Sequence, residues 1–94
     1  MRTCGFNNKP LQRFYEQGLA KGLPPGAATK LRAMFAMLDL MKDAVELQSW
    51  PLWKVHTLTG DRKGTWSLYV TRNWRLTFQI EDGELCDVNL EDYH

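Results

Sequence analysis

Asp92, Tyr93 and His94 put a carboxylate, a phenol and an imidazole side by side at the end of the chain. Chain ends fray unless contacts tie them down, so an aromatic acid–base cluster there asks for a reason. With His56 and Arg75 it supplies what RNA cleavage by the adjacent 2′-hydroxyl needs without a metal ion. A base takes the 2′-proton, a cationic donor holds the charged phosphorane, and an acid protonates the leaving 5′-oxygen. Imidazole suits both proton transfers because it titrates near neutrality. Arginine suits the phosphate because its planar fork donates paired hydrogen bonds.

The chain has two histidines, His56 and His94. His94 carries the α-carboxylate and has Asp92 two residues before it, and nearby negative charge favours imidazolium. A raised pKa at His94 is therefore expected, which suits it as general acid and leaves His56 as base; the reverse assignment stays open. Asp92 could instead orient a histidine. Tyr93 could stack on a base or touch the phosphate, since stacking is a common grip on single-stranded RNA. The 60–64 segment Gly-Asp-Arg-Lys-Gly lacks P-loop spacing and a following helix. It reads as a connection between strands that offers Arg62 and Lys63 to the RNA backbone.

These groups need a scaffold. Asn8 is placed to cap a first helix with Pro10 in its opening turn and Gly18 after its end. After Pro24-Pro25-Gly26, the residues Ala27, Leu31, Met34, Phe35, Leu38 and Met41 recur at helical spacing, with the methionines as core filler. Asp43 and Glu46 resemble a capping box for a short third helix. From Trp53 the period becomes two, the mark of strands. Trp53 and Val55; Trp66, Leu68 and Val70; Trp74, Leu76, Phe78 and Ile80; and Cys86, Val88 and Leu90 each give an apolar face. Parity favours three-residue loops, Thr71-Arg72-Asn73 and Asp82-Gly83-Glu84, with Asn73 and Gly83 left-handed. The resulting register sets Trp66 opposite Phe78, Val70 opposite Trp74, Phe78 opposite Val88 and Arg75 opposite Glu91. The polar face then gathers Lys54, His56, Tyr69, Arg75, Thr77, Asn89 and Glu91, with Tyr93 beside Arg75. Strict alternation sends Asp92 and His94 to the other face, a rule that terminal twisting can break. The expected class is α+β, with two to three N-terminal helices on one face of a small antiparallel sheet.

Ninety-four residues, 44% of them hydrophobic, make one domain, 1–94, with enough apolar surface for a core. Cys4 and Cys86 are far apart in sequence and lack metal-ligand spacing, so they read as reduced thiols of a cytoplasmic protein. No signal peptide and no membrane span is evident. The net charge of +1 hides an asymmetry. Residues 54–75 carry Lys54, Arg62, Lys63, Arg72 and Arg75 against Asp61, whereas residues 76–94 carry six acidic side chains and no lysine or arginine. A basic patch on a near-neutral chain points to an anionic ligand without indiscriminate adhesion to polyanions.

The stretches His56-Thr57-Leu58-Thr59-Gly60-Asp61-Arg62-Lys63-Gly64, Trp66-Ser67-Leu68-Tyr69-Val70, Asn73-Trp74-Arg75-Leu76-Thr77-Phe78 and Asp92-Tyr93-His94 closely resemble the RelE superfamily of bacterial toxins, in its HigB-type branch, the plasmid maintenance killer proteins. The likeness is strong over residues 50–94 and looser through the helices. It implies the same helices-on-one-face fold. It also implies a type II toxin that cleaves mRNA in the ribosomal A site, using no metal or other cofactor and leaving a 2′,3′-cyclic phosphate. The partners it implies are a helix-turn-helix antitoxin of HigA type, the ribosome (16S rRNA) and mRNA, with operator DNA reached through the antitoxin and no membrane. Catalytic roles fall on His56, Asp92, Tyr93 and His94, and RNA contacts on Asn73 and Arg75, with Lys54, Arg62 and Lys63 completing the basic set. Lys21, Lys30 and Arg32 would face ribosomal RNA. Two positions depart from the pattern. Relatives often carry lysine where this chain has Thr59, which moves a phosphate contact to Lys63 or removes it. The opening Met1-Arg2-Thr3-Cys4-Gly5-Phe6 matches the usual first strand weakly.

An alternative is a RelE-fold binding module, weak in catalysis, that acts mainly in an antitoxin–operator repressor complex; the retained His56 and Asp92-Tyr93-His94 argue against it. A stand-alone DNA-binding protein fits less well, because no helix-turn-helix signature appears and the basic residues fall on strands.

Overall fold

The computed structural model describes residues 1–93; His94, and every role expected of it, lies outside the described residues. Helix α1 (Lys9–Gln17) starts where the Asn8 side chain accepts from the Leu11 N–H at 3.0 Å. It ends where Gly18, at φ 74°, donates to the Phe14 carbonyl, a left-handed closure suited to glycine. Helix α2 (Ala27–Leu40) buries Ala27, Leu31, Met34, Phe35 and Leu38, and Met41 continues the stripe. Helix α3 (Ala44–Gln48) is capped by Asp43, which accepts from the Glu46 N–H at 3.1 Å. The Glu46 carboxylate accepts from the Lys42 N–H at 3.0 Å, one residue further back than a capping box requires.

Four antiparallel strands follow in spatial order β1-β2-β3-β4: His56–Thr57, Thr65–Thr71, Trp74–Glu81 and Glu84–Asp92. Trp53 and Lys54 are not in a strand, contrary to the alternation. Pro51 opens a 3₁₀ turn, Pro51–Trp53, and Lys54 closes it at φ 47°. Trp53 is buried all the same, because one turn of helix also points it inward. The apolar faces of β2, β3 and β4 join the helices in one core around Phe78, Leu68, Leu76, Leu85 and Val88.

Both hairpins reach their register by a route the alternation did not show. The loops have two residues, Arg72-Asn73 and Asp82-Gly83, since Thr71 pairs with Trp74 and Glu81 with Glu84. A shift between Tyr69 and Thr71 then restores Tyr69 opposite Arg75 and Trp66 opposite Phe78. Val70 falls inside that shift, so it does not pair with Trp74. A second shift, between Thr77 and Gln79, restores Thr77 opposite Asn89 and Arg75 opposite Glu91. Each bulge adds the residue that a longer loop would have supplied. Gly83 is left-handed as expected, at φ 76°, and Asp82 joins it at φ 51°, the pairing that two-residue turns favour. Asn73 is not left-handed. In β4 the extra residue is Asp87, at φ 52°. Before it Leu85 points into the core opposite Ile80, whereas Cys86 pairs with Gln79 and leaves the apolar face expected for it. The same bulge removes the simple Phe78–Val88 pairing.

The opening residues form a parallel edge on β4, with Thr3 bridged to Leu85 and Phe6 to Val88. Four backbone hydrogen bonds hold it, among them Cys4 N–H to the Leu85 carbonyl and Leu85 N–H to the Arg2 carbonyl, both at 2.7 Å. This edge corrects the reading of the cysteines as separate reduced thiols. Cys4 and Cys86 form a disulfide with Cα atoms 4.9 Å apart across 82 residues of sequence. The parallel bridges bring Cys4 alongside β4, and the Asp87 bulge leaves Cys86 off the Leu85 face. Among the described residues, no helix is long and apolar enough to cross a membrane.

Candidate active site on the open face of the sheet

Two rows of side chains cross the sheet on the face away from the core. Residues directly opposed on neighbouring strands share a face. One row runs His56, Ser67, Thr77, Asn89, and the next runs Tyr69, Arg75, Glu91. The alternation foresaw six of these, all but Ser67, and the strands bring them to one side; Lys54, the seventh residue expected here, closes the 3₁₀ turn outside the strands.

Arg75 is the most constrained of the cations. Its guanidinium lies 4.6 Å from the Tyr69 ring centroid and 4.0 Å from that of Tyr93. One nitrogen, Nη1, also donates to the Thr71 carbonyl at 2.8 Å and the Trp74 carbonyl at 3.1 Å. Two aromatic faces and the turn carbonyls therefore fix the plane of the fork. Tyr93 is held by its own backbone, which donates to the Asn73 carbonyl at 2.7 Å, so Asn73 supports the site through its main chain. Tyr93 is 58% exposed, which leaves it open to a ligand. Asp92 pairs with Trp74 and is exposed; the register puts it on the side opposite Glu91, as strict alternation required.

His56 sits at the far edge on the two-residue β1 and is exposed. Its Nδ1 lies 3.0 Å from the Lys54 carbonyl, which can only accept. In the neutral ring that contact selects the tautomer protonated at Nδ1, with the lone pair on Nε2, the form a general base requires. The left-handed backbone of Lys54 precedes the edge strand, and its Nζ stands 5.0 Å from the Tyr69 ring.

Arg62 behaves differently from the expected RNA contact. From the 3₁₀ turn Gly60–Arg62 it reaches Glu91 on β4 with both Nη atoms, one of them at 2.7 Å. Thr77 donates to the same carboxylate. The hydrogen bond to Arg62 is the chief force holding the Glu91 carboxyl below its ordinary range, and the bond from Thr77 adds to it. The reciprocal bond raises Arg62. The 60–64 connection is thus tied down over the sheet, above a cleft of about 250 Å³ lined by Asp61, Arg62, Thr77, Asn89 and Glu91. Register placed Glu91 opposite Arg75, and no local pattern signalled that Arg62 would be its partner. Lys63 stays exposed at the end of this turn. Among the described residues, no three His, Cys, Asp or Glu side chains converge to hold a metal ion.

The family profile described as "RelE-like toxin of type II toxin-antitoxin system HigB" matches residues 4–94. The chain is 36% identical over 89 residues to "Endoribonuclease HigB" of Proteus vulgaris, an alignment that covers 95% of this chain and 96% of that protein. In fold it is similar to YafQ of E. coli. A variant of that protein superposes with a TM-score of 0.61 at 18% identity, covering 98% of this chain and 93% of the other. YafQ from strain BL21(DE3) gives 0.57 at 15% identity with the same coverage.

Proposed function

The chain belongs to the HigB-like family of RelE-like type II toxins, and from that premise we propose that it is an endoribonuclease that cleaves mRNA in the ribosomal A site and so stops translation. The single observation that carries this reading is the Arg75 fork, held between Tyr69 and Tyr93 on the face that also presents His56. A cation whose plane is set in advance stabilises developing phosphorane charge without reorganising in the transition state.

In this mechanism the His56 Nε2 lone pair takes the 2′-proton and the resulting oxygen attacks phosphorus. Arg75 donates to the equatorial oxygens. His94, as imidazolium, protonates the 5′-oxygen as the P–O bond breaks, which leaves a 2′,3′-cyclic phosphate; Asp92 orients a histidine. Tyr93 stacks on a neighbouring base. Lys54, Lys63 and the side chain of Asn73 contact the RNA, and Arg62 joins them if phosphate displaces Glu91 from its fork. Every proton transfer and charge contact in this mechanism is assigned to a side chain of this protein, and none to a metal ion. The protein would act in the cytoplasm, and its partner would be a helix-turn-helix antitoxin of HigA type that carries it to operator DNA.

The test is cleavage of a defined mRNA, free and in programmed ribosomes, by the intact protein and by His94→Gln. Ribosome-dependent cuts that fall about 100-fold in the variant support the reading, a loss of the size that general acid–base catalysis supplies. Folded protein that leaves ribosome-bound mRNA whole would overturn it.

A further inference from the structure

We propose that a second pocket, between α2 and β2, binds one unpaired nucleotide of the mRNA beside the cut, with the base against Leu52 and Trp53 and the phosphate on Lys30 and Lys54. The proposal rests on the endoribonuclease reading and names a subsite of it.

The pocket exists because β1 is short. It pairs with Ser67 and Trp66 alone, so Tyr69 and Val70 lie beyond the reach of the edge strand. The 3₁₀ turn Pro51–Trp53 fills part of that gap and leaves a space of about 390 Å³. Its walls are Ala33 and Met34 from α2, Leu52 and Trp53 from the turn, and Tyr69 from β2. That volume lies at the small end of ligand sites, about 300–1,000 Å³, and matches a single base with its sugar rather than a helix. Leu52 is 80% exposed, a large apolar side chain spread on the rim.

The charge around this apolar floor is of one sign. Lys54 Nζ lies 5.0 Å and Lys30 Nζ 6.0 Å from the Tyr69 ring centroid, and Arg75 reaches the same ring at 4.6 Å. Three cations from a helix, a turn and a strand thus gather on one aromatic ring. A flat apolar surface bordered by cations is how proteins hold single-stranded nucleic acid without reading its sequence. Tyr69 also joins the pocket to the catalytic face, because Arg75 stacks on Tyr69 and Tyr93 stacks on Arg75. A strand whose scissile phosphate sits at Arg75 would therefore deliver its next nucleotide here.

The experiment uses the full chain on programmed ribosomes, with Leu52→Glu and Leu52→Trp as variants. It also uses messages that lack the base at each nucleotide flanking the cut, one at a time. Leu52 is exposed and outside the catalytic set, so both variants should keep the unfolding midpoint. Leu52→Glu should cut the normal message roughly ten-fold more slowly, the scale of one stacked base, and Leu52→Trp should cut at the normal rate or faster. One of the abasic messages should slow the intact protein by a similar factor, and combining that message with Leu52→Glu should add little. Unchanged cleavage by Leu52→Glu would overturn the proposal while the endoribonuclease reading stands. So would losses that multiply, or a loss in Leu52→Glu with full cleavage of every abasic message, which would assign the pocket to ribosomal RNA. Normal cleavage with loss of antitoxin binding would assign it to protein and also overturn the proposal. If the intact protein cuts nothing, the endoribonuclease reading fails and this subsite falls with it.

Discussion

The two faces of the sheet are made from the same three long strands and obey opposite rules. On the inner face Leu68, Leu76, Phe78, Leu85 and Val88 are fully buried, and each is interchangeable in kind with its neighbours. On the outer face Tyr69, Arg75, Asn89 and Glu91 are partly covered, and each is held by a particular partner. Burial on the inner face is non-directional and tolerates repacking. Position on the outer face depends on individual hydrogen bonds and ring contacts, which no neighbouring side chain can replace. Stability should therefore follow the inner face and activity the outer one.

Phe78→Ala should have the largest effect. It empties the centre of the core and should cost about 3–5 kcal/mol, read as a fall in the urea midpoint. Since domains of this size hold about 5–15 kcal/mol in all, much of the protein would be lost. A midpoint left unchanged would break the comparison. Cys86→Ser comes next and sharpens it, because Cys86 points away from the Leu85 face yet serves stability. Releasing a cross-link between residues 82 apart should cost about 2–4 kcal/mol, and reduction of the intact protein should cost the same. Cleavage by the folded fraction should not change.

Arg75→Ala should leave the urea midpoint within about 1 kcal/mol and lower cleavage about 100-fold, equivalent to ~2.7 kcal/mol of transition-state stabilisation. Arg75→Lys should recover little, since an ammonium offers neither the fork nor the flat surface that two rings hold. A larger loss of stability than of activity would move Arg75 to the structural side. The smallest effect belongs to Glu91→Gln. Arg62 holds the Glu91 carboxyl below its ordinary value of 4.5. Its contribution is therefore complete above about pH 4.5 and fades as pH falls through the lower folded value. The pair is half open to solvent on the Arg62 side, so its worth should stay under about 1 kcal/mol and shrink with salt. Urea midpoints of the intact and variant proteins should differ slightly at neutral pH and converge as the pH falls below the ordinary carboxylate range; a gap that widens in acid would show that the pair is not the cause.

Much of this division was legible beforehand. The Asn8 and Asp43 caps, the Ala27–Met41 stripe, and the pairing of Trp66 with Phe78 and Arg75 with Glu91 all follow from chemistry or parity that acts within a few residues. The candidate site was legible to the same depth, since alternation alone brought Tyr69, Arg75 and Thr77 to the face of His56. The path of residues 53–54 was not. Trp53 is inward in both an extended and a 3₁₀ backbone, so burial could not distinguish them.

By itself, the order of residues determined which side chains of α2, β2 and β3 face the core and which helix starts are capped, because periodicity and capping are local; in β4 the bulge exchanged the expected faces of Leu85 and Cys86. Only the closed chain decided the rest. It decided that a bulge at Asp87, rather than a longer loop, restores the register, with Asp82 and Gly83 both left-handed in a two-residue turn of the favoured kind. It decided that Cys4 meets Cys86, because two parallel bridges lay the opening residues along β4. And it decided that Arg62 crosses the sheet to Glu91, 29 residues away. Those contacts depend on where distant segments come to rest once the core has packed.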